Sequence, residues 1–166
     1  MKLKPLEEFL CDSCGEVIRT PAEGWLEWLE DPASLKDYGF RIVHHSLSSP
    51  RGPGGCYQHS HRPESQNLHL NEFTGPEGFA RLLPFLDVGP YHSPAYSGPT
   101  VRDMREFTEI LRRLEIPYYE EARIWWDKAL SEGFFGDANP VWMYHPVTLK
   151  ALIDRYDTEK MTPDRR

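Results

Sequence analysis

The chain has 166 residues, 39% hydrophobic and 13% aromatic with five Trp, enough for one folded unit or a small module joined to a helical one. Acidic residues outnumber basic ones 26 to 19, giving a formal charge of −7, with acids in excess both before residue 60 and after residue 100. That balance argues against a duplex-DNA partner, and no apolar run is long enough to span a bilayer or has the form of a signal peptide.

In chain order, residues 5–10 read as a short turn or strand leading into Cys11-Asp12-Ser13-Cys14-Gly15. Two thiolates separated by two residues can grip one tetrahedral ion, and a Gly after the second permits the positive φ that such a turn needs. Val17 and Ile18 predict a short strand that ends at Thr20-Pro21. Residues 24–30 alternate Trp or Leu with Glu and predict another strand, followed by a turn over 31–37. Residues 39–45, Gly-Phe-Arg-Ile-Val-His-His, make the strongest strand pattern in the chain. Its two histidines face opposite sides, so only one can look toward a shared ion. A Gly/Pro/Ser loop over 46–55 delivers Cys56, and a polar stretch follows over 59–71.

From there the pattern turns helical. Thr74 and Glu77 have the spacing of a capping box ahead of Phe79, Leu82, Leu83 and Leu86, with Pro84 distorting the last turn. Residues 87–99 read as an extended connector. Thr100 is placed to cap a helix carrying Met104, Phe107, Leu111 and Leu114. Pro117 opens the next, with Glu120 and Glu121 in its first turn and Tyr118, Ala122, Trp125, Ala129 and Leu130 along one side until Gly133. A loop over 134–139, a short strand over 141–144 and a last helix from Pro146, with Leu149, Leu152, Ile153 and Tyr156 inward, complete the chain. The expected class is α+β: a metal-clipped β module over 1–71, a helical portion over 72–156 and a mobile tail over 157–166.

All three cysteines and four of the seven histidines lie between residues 11 and 61. Three cysteines cannot all pair with one another, which favours metal-held thiolates in a reducing cytoplasm over a secreted disulfide framework. The expected ligands are Cys11, Cys14, Cys56 and His45, with His59 and His44 as alternatives for the fourth. Such a closed sphere is structural and implies about one zinc per chain. Cys11 to Gly15 resembles the knuckle of zinc-ribbon and rubredoxin-like proteins, a likeness confined to five residues. A knuckle before a short sheet and a helical half also resembles small bacterial cytoplasmic proteins, which implies no activity.

His59-Ser60-His61 resembles the start of a metallohydrolase H-x-H motif, but Arg62-Pro63 replaces the Asp-His continuation of the metallo-β-lactamase family. A metal-dependent hydrolase using His59 and His61 is therefore the alternative function, and a nucleic-acid-binding zinc protein a further one. The acids Asp103, Glu106, Glu109, Glu120, Glu121 and Asp127 alternate with Arg102, Arg105, Arg112, Arg113 and Arg123, which predicts an ion-paired solvent face. Tyr118-Tyr119, Trp125-Trp126 and Phe134-Phe135 exceed what one helix stripe can bury. They suggest a partner protein or second copy on the helical half, with Trp125 buried and Trp126 exposed. The leading expectation is a non-enzymatic, zinc-stabilised protein-interaction or regulatory module.

Overall fold

A computed structural model describes residues 2–59, 62–89 and 98–159. Strands β1 (Phe9–Leu10) and β2 (Val17–Ile18) form a short antiparallel hairpin. β3 (Gly24–Asp31) and β4 (Lys36–His44) form a longer one, with Gly24 opposite His44 and Asp31 opposite Lys36. The Asp31 carboxylate accepts the N–H groups of Ala33 (2.8 Å) and Ser34 (3.0 Å), which turns the chain between them. β5 (Ser65–His69) pairs with the other edge of β3, giving the order β4-β3-β5. It lies in the stretch expected to be a polar loop. Being an edge strand with mostly exposed side chains, it carries none of the apolar alternation that marks a half-buried strand.

Leu26, Trp28, Phe40 and Ile42 belong to the first core, which α1 (Gly75–Leu82) and α2 (Met104–Glu115) close with Leu82, Phe107, Ile110 and Leu114. Aromatic rings form its centre: Phe85 lies 5.3 Å from Trp28 and 5.4 Å from Phe40, and Phe107 5.2 Å from Phe40. α1 begins after Thr74 as expected, but the Thr74 hydroxyl donates to Asn71 O (3.5 Å) and caps nothing. Beyond Leu82 the helix tightens to a 3₁₀ turn over Leu83–Phe85, around Pro84. The cap of α2 is Asp103, not Thr100: its carboxylate accepts from Arg105 N (2.8 Å) and Glu106 N (3.4 Å), while Thr100 N donates to Phe85 O (2.9 Å). Phe107, Ile110 and Leu114 face inward, whereas Met104, in the first turn, is exposed.

The second core gathers Tyr119, Ala122, Ala129, Leu149, Leu152, Ile153 and Tyr156. The single helix expected after Pro117 is broken into α3 (Tyr119–Ala122), a 3₁₀ turn over Arg123–Trp125, and α4 (Trp126–Ser131). On the bent backbone both Trp125 and Trp126 are half-buried against this core, so the expected contrast between them is absent. The expected strand over 141–144 is instead helical, α5 (Pro140–Met143). Asn139 caps it, its side chain accepting from Val141 N at 3.0 Å, and Pro140 supplies a φ suited to a first helical turn. α6 (Pro146–Glu159) turns Leu149, Leu152, Ile153 and Tyr156 inward, a stripe spaced i, i+3, i+4 and i+7. It runs two residues past the start of the expected tail at Asp157, and residues 160–166 lie outside the described part.

Arg113, Glu120 and Glu121 are buried, which corrects the expected solvent face. Arg113, 3% exposed, donates from Nε and Nη2 to the two oxygens of Glu120 (2.7 and 2.9 Å). Its Nη1 donates to both oxygens of Asp12 (2.9 and 2.7 Å), and Nη2 also to Leu10 O (2.9 Å). Arg123 Nε donates to Glu120 at 3.1 Å. Two carboxylates thus balance two guanidinium groups. Burial pushes the Glu120 carboxyl up, but the charges and hydrogen bonds of Arg113 and Arg123 outweigh it and hold the group below the usual carboxylate range.

Arg113→Met is expected to lower unfolding free energy by about 3–5 kcal/mol, because it leaves two poorly solvated carboxylates without their partner. The depressed pKa of Glu120 fixes the sign of its pH dependence. Its stabilising contribution is present above the unfolded value of about 4.3 and is lost as pH falls through the folded one. Urea melts should therefore show Glu120→Gln far less stable than the parent at about pH 7 and closer to it at about pH 3. An equal deficit at both values would contradict this account of the buried charges.

Candidate metal centre

The knuckle grows out of the β1–β2 hairpin. Cys11 N donates to Glu16 O (3.0 Å) and Gly15 N to Cys11 O (2.9 Å), folding the chain back within five residues. Gly15 takes φ +77°, a conformation open to Gly at little cost and to few other residues. Between the two cysteines, Asp12 N donates to Ile42 O and Ile42 N to Asp12 Oδ2, both at 2.8 Å. These bonds lay the knuckle along β4 two residues before the strand ends at His44.

His44 shares a face with Phe40 and Ile42, at alternate positions of the strand. Its Nδ1 lies 3.5 Å from Cys14 Sγ and 3.8 Å from Cys56 Sγ, and the ligand atoms of Cys11, Cys14, His44 and Cys56 all lie within 4.8 Å of one another. A tetrahedral ion with Zn–S of about 2.3 Å and Zn–N of about 2.0–2.1 Å implies S···N edges of about 3.6 Å and S···S edges of about 3.8 Å. The two S···N distances are thus close to those of a filled site. His44 Nε2 is 3.4 Å from Val17 O, and donation to that carbonyl leaves the Nδ1 lone pair facing the thiols.

The histidine in the cluster is therefore His44, where sequence reasoning favours His45. Two physical facts separate them. β4 ends at His44, and the apolar Phe40 and Ile42 mark the face on which the knuckle lies. His45 begins the following 3₁₀ turn (Ser46–Ser48): its Nδ1 accepts from Leu47 N (3.3 Å), and its ring stacks on His69 (5.0 Å) and meets Trp25 edge-on (5.1 Å). The alternation of residues 40, 42 and 44 is legible in the sequence and was the signal that could have selected His44.

Cys56 arrives on the Gly/Pro/Ser loop, as expected. Gly55 is required there, since a Cβ would lie 2.5 Å from Arg51 O. Ser49 Oγ donates to Cys56 Sγ at 3.2 Å. Past Cys56 the chain crosses the sheet face that carries Trp25 and Glu27. Tyr57 stacks on Trp25 at 5.0 Å, and the buried Glu27 carboxylate accepts from Gln58 N (3.0 Å) and His59 N (3.4 Å). Burial pushes the Glu27 carboxyl up against these bonds.

His59 donates from Nε2 to Gly39 O at 2.8 Å and is buried. It pins the loop to β4 and lies outside the thiol cluster; His61 falls outside the described residues. Cys14 is costly to ionise without a cation: burial, together with Cys11 and Cys56 nearby, pushes its thiol up to about 12. A bound cation offsets that penalty and favours the Cys14 thiolate.

Compared with protein-family models, curated proteins and solved structures, the chain gives no match. The chemistry of the site therefore rests on its geometry. His44→Ala is expected to abolish or greatly weaken metal retention, whereas His45→Ala should keep the metal. Metal analysis of the two purified variants checks this, and the reverse pattern would move the fourth ligand to His45.

Proposed function

We propose that this chain is a zinc-stabilised protein-interaction module in which the ion is structural and no turnover takes place. The observation carrying this reading is the donor set itself: three thiols and one imidazole nitrogen converging within 4.8 Å, two of the thiols buried. Thiolate-rich sets favour zinc over the hard cations magnesium and calcium, and four protein donors complete a tetrahedron without a position for substrate. The ligands come from the knuckle, the end of β4 and the loop beyond it, so an ion ties three separate stretches together. Metal analysis of protein purified without added metal should give about one zinc per chain. Cys56→Ser should lose both the metal and much of the folding cooperativity, because binding energy in such modules is folding energy. Loss of zinc with an unchanged melting curve would overturn the structural role.

For the interaction surface, support comes from the helical half. Trp142 on α5 is 62% exposed, and Val141, Val147, Leu130 and Ile124 are also exposed. Trp142 thus takes the place that sequence reasoning gave to Trp126. Exposed Trp residues often anchor interfaces, at about 2 kcal/mol or more each on truncation. Trp142→Ala is expected to weaken self-association or partner binding about thirtyfold with little change in melting temperature. Sedimentation across a concentration range tests the second copy, and affinity capture compared between parent and variant tests a heterologous partner. A monomer whose captured partners are the same for both chains would remove this surface from the proposal.

A further inference from the structure

Strand β5 leaves one side of the sheet open. It pairs with β3 alone, and no strand lies beyond it among the described residues. Its register with β3 sets which of its peptide groups face outward. Glu30 N donates to Glu64 O at 3.0 Å, one step beyond the pair of Leu29 with Ser65. In an antiparallel ladder, opposite residues that exchange hydrogen bonds alternate with pairs that do not. Counting on from Glu64, Gln66 and Leu68 turn their peptide groups toward β3, while Asn67 and His69 turn theirs away. Those outward N–H and C=O groups have no backbone partner among the described residues. Natural edge strands are commonly blunted by Lys, Pro or a bulge, and residues 65–69, Ser-Gln-Asn-Leu-His, carry none of these.

Beside this edge lies an open groove of about 1160 Å³ between β5 and α1, with Trp28, Leu68, Phe73, Ala80 and Phe85 as apolar walls. Leu68 stands opposite Leu26, so both turn to the face that carries the first core. A strand added to the free edge would place every second side chain on that same face, toward the groove. On the rim, Arg81 and Glu72 pair at 2.9 Å, which leaves the exposed carboxylate of Glu77 without a counter-ion among the described residues. The groove therefore suits apolar side chains at alternate positions with a cation beside them. A second copy supplies neither: its own β5 offers Leu68 as the one apolar side chain, and its rim brings another unpaired acid.

We propose that β5 and the groove bind an extended, cationic segment of a partner protein as an added antiparallel strand, with alternate apolar side chains beside Leu68 and a Lys or Arg facing Glu77. This surface shares no residue with the metal centre or with the Trp142 surface, so its failure would leave those readings standing. The probe is the peptide acetyl-Lys-Val-Thr-Phe-Thr-Val-Lys-amide, titrated calorimetrically into the metal-replete full chain at constant ionic strength. Saturable one-to-one binding is expected. In antiparallel pairing its Val and Phe side chains share the Leu68 face, and the N–H groups of its two Thr point at β5. N-methylation of both Thr should cut affinity by about tenfold or more, because it removes those hydrogen bonds. N-methylation of Phe, whose N–H points away from β5, should leave affinity unchanged. Glu77→Lys should cut it by about threefold or more, since an exposed attraction becomes a repulsion. No saturable binding up to about 1 mM peptide, an equal effect of the two methylations, or undiminished binding to Glu77→Lys would each overturn the proposal. Peptide affinity that falls as a dimer forms with rising protein concentration would give the edge to a second copy instead, and overturn it too. The methylated peptides need only the parent protein, so they decide the matter even if the variant folds poorly.

Discussion

One guanidinium group ties the first core of this protein to the second. Arg113, on α2, reaches Asp12 between the knuckle cysteines, Glu120 at the start of α3, and the carbonyl of Leu10 on β1. The planar, forked geometry of Arg suits it to this: its donors satisfy two carboxylates and a carbonyl at once, which an ammonium group could not reproduce with the same directionality. Asp12 in turn bonds to Ile42, so a single chain of contacts runs from helix to knuckle to the strand bearing His44. Without it the knuckle would be a surface turn hanging from a two-residue hairpin. Replacing every member of a buried ionic group by apolar residues changes net stability little, whereas removing one member strands the charges of the others.

Among the described residues, loop rather than helix packs on the face of the sheet that carries Trp25 and Glu27. That face is covered by the loop that brings Cys56, through Tyr57 on Trp25, the Glu27 carboxylate beneath two backbone N–H groups, and His59 on Gly39 O. Irregular chain packed on a sheet must find partners for its own N–H groups, and an inward-facing Glu in the middle of β3 supplies them. This accounts for a residue that would otherwise be a puzzling charge in a hydrophobic strand. It also gives His59 a positioning role in the loop that needs no metal.

Much of the α+β architecture was legible because it rests on local chemistry. The Cys-x-x-Cys-Gly turn, the alternation over β3 and β4, and the i, i+3, i+4, i+7 stripe of α6 each follow from spacing alone. What could not be read depended on partners distant in sequence. Arg113 and Glu120 sit among charges whose spacing matches a solvent face, and only the arrival of Asp12, about a hundred positions away, makes burial tolerable. β5 is polar because its outer edge and both neighbouring faces tolerate polarity, so it gives no period to detect. The aromatic pairs misled for a related reason: a break in the helix lets adjacent rings reach the same core, which a regular helix forbids.

The wide sequence separation of the four donors has a consequence for the order in which the chain assembles. Cys11 and Cys14 are three positions apart and meet in a turn that forms locally, whereas His44 and Cys56 must be brought back across 30 and 42 positions from Cys14. Closing a loop of that size costs about 3 kcal/mol of chain entropy, against very little for the knuckle. An ion captured first by the two near thiols would carry two empty coordination positions, each waiting for a long-range contact. The metal would then serve as the nucleus on which the hairpin of β3 and β4 and the loop beyond it condense, and the rate of folding would follow the concentration of free ion.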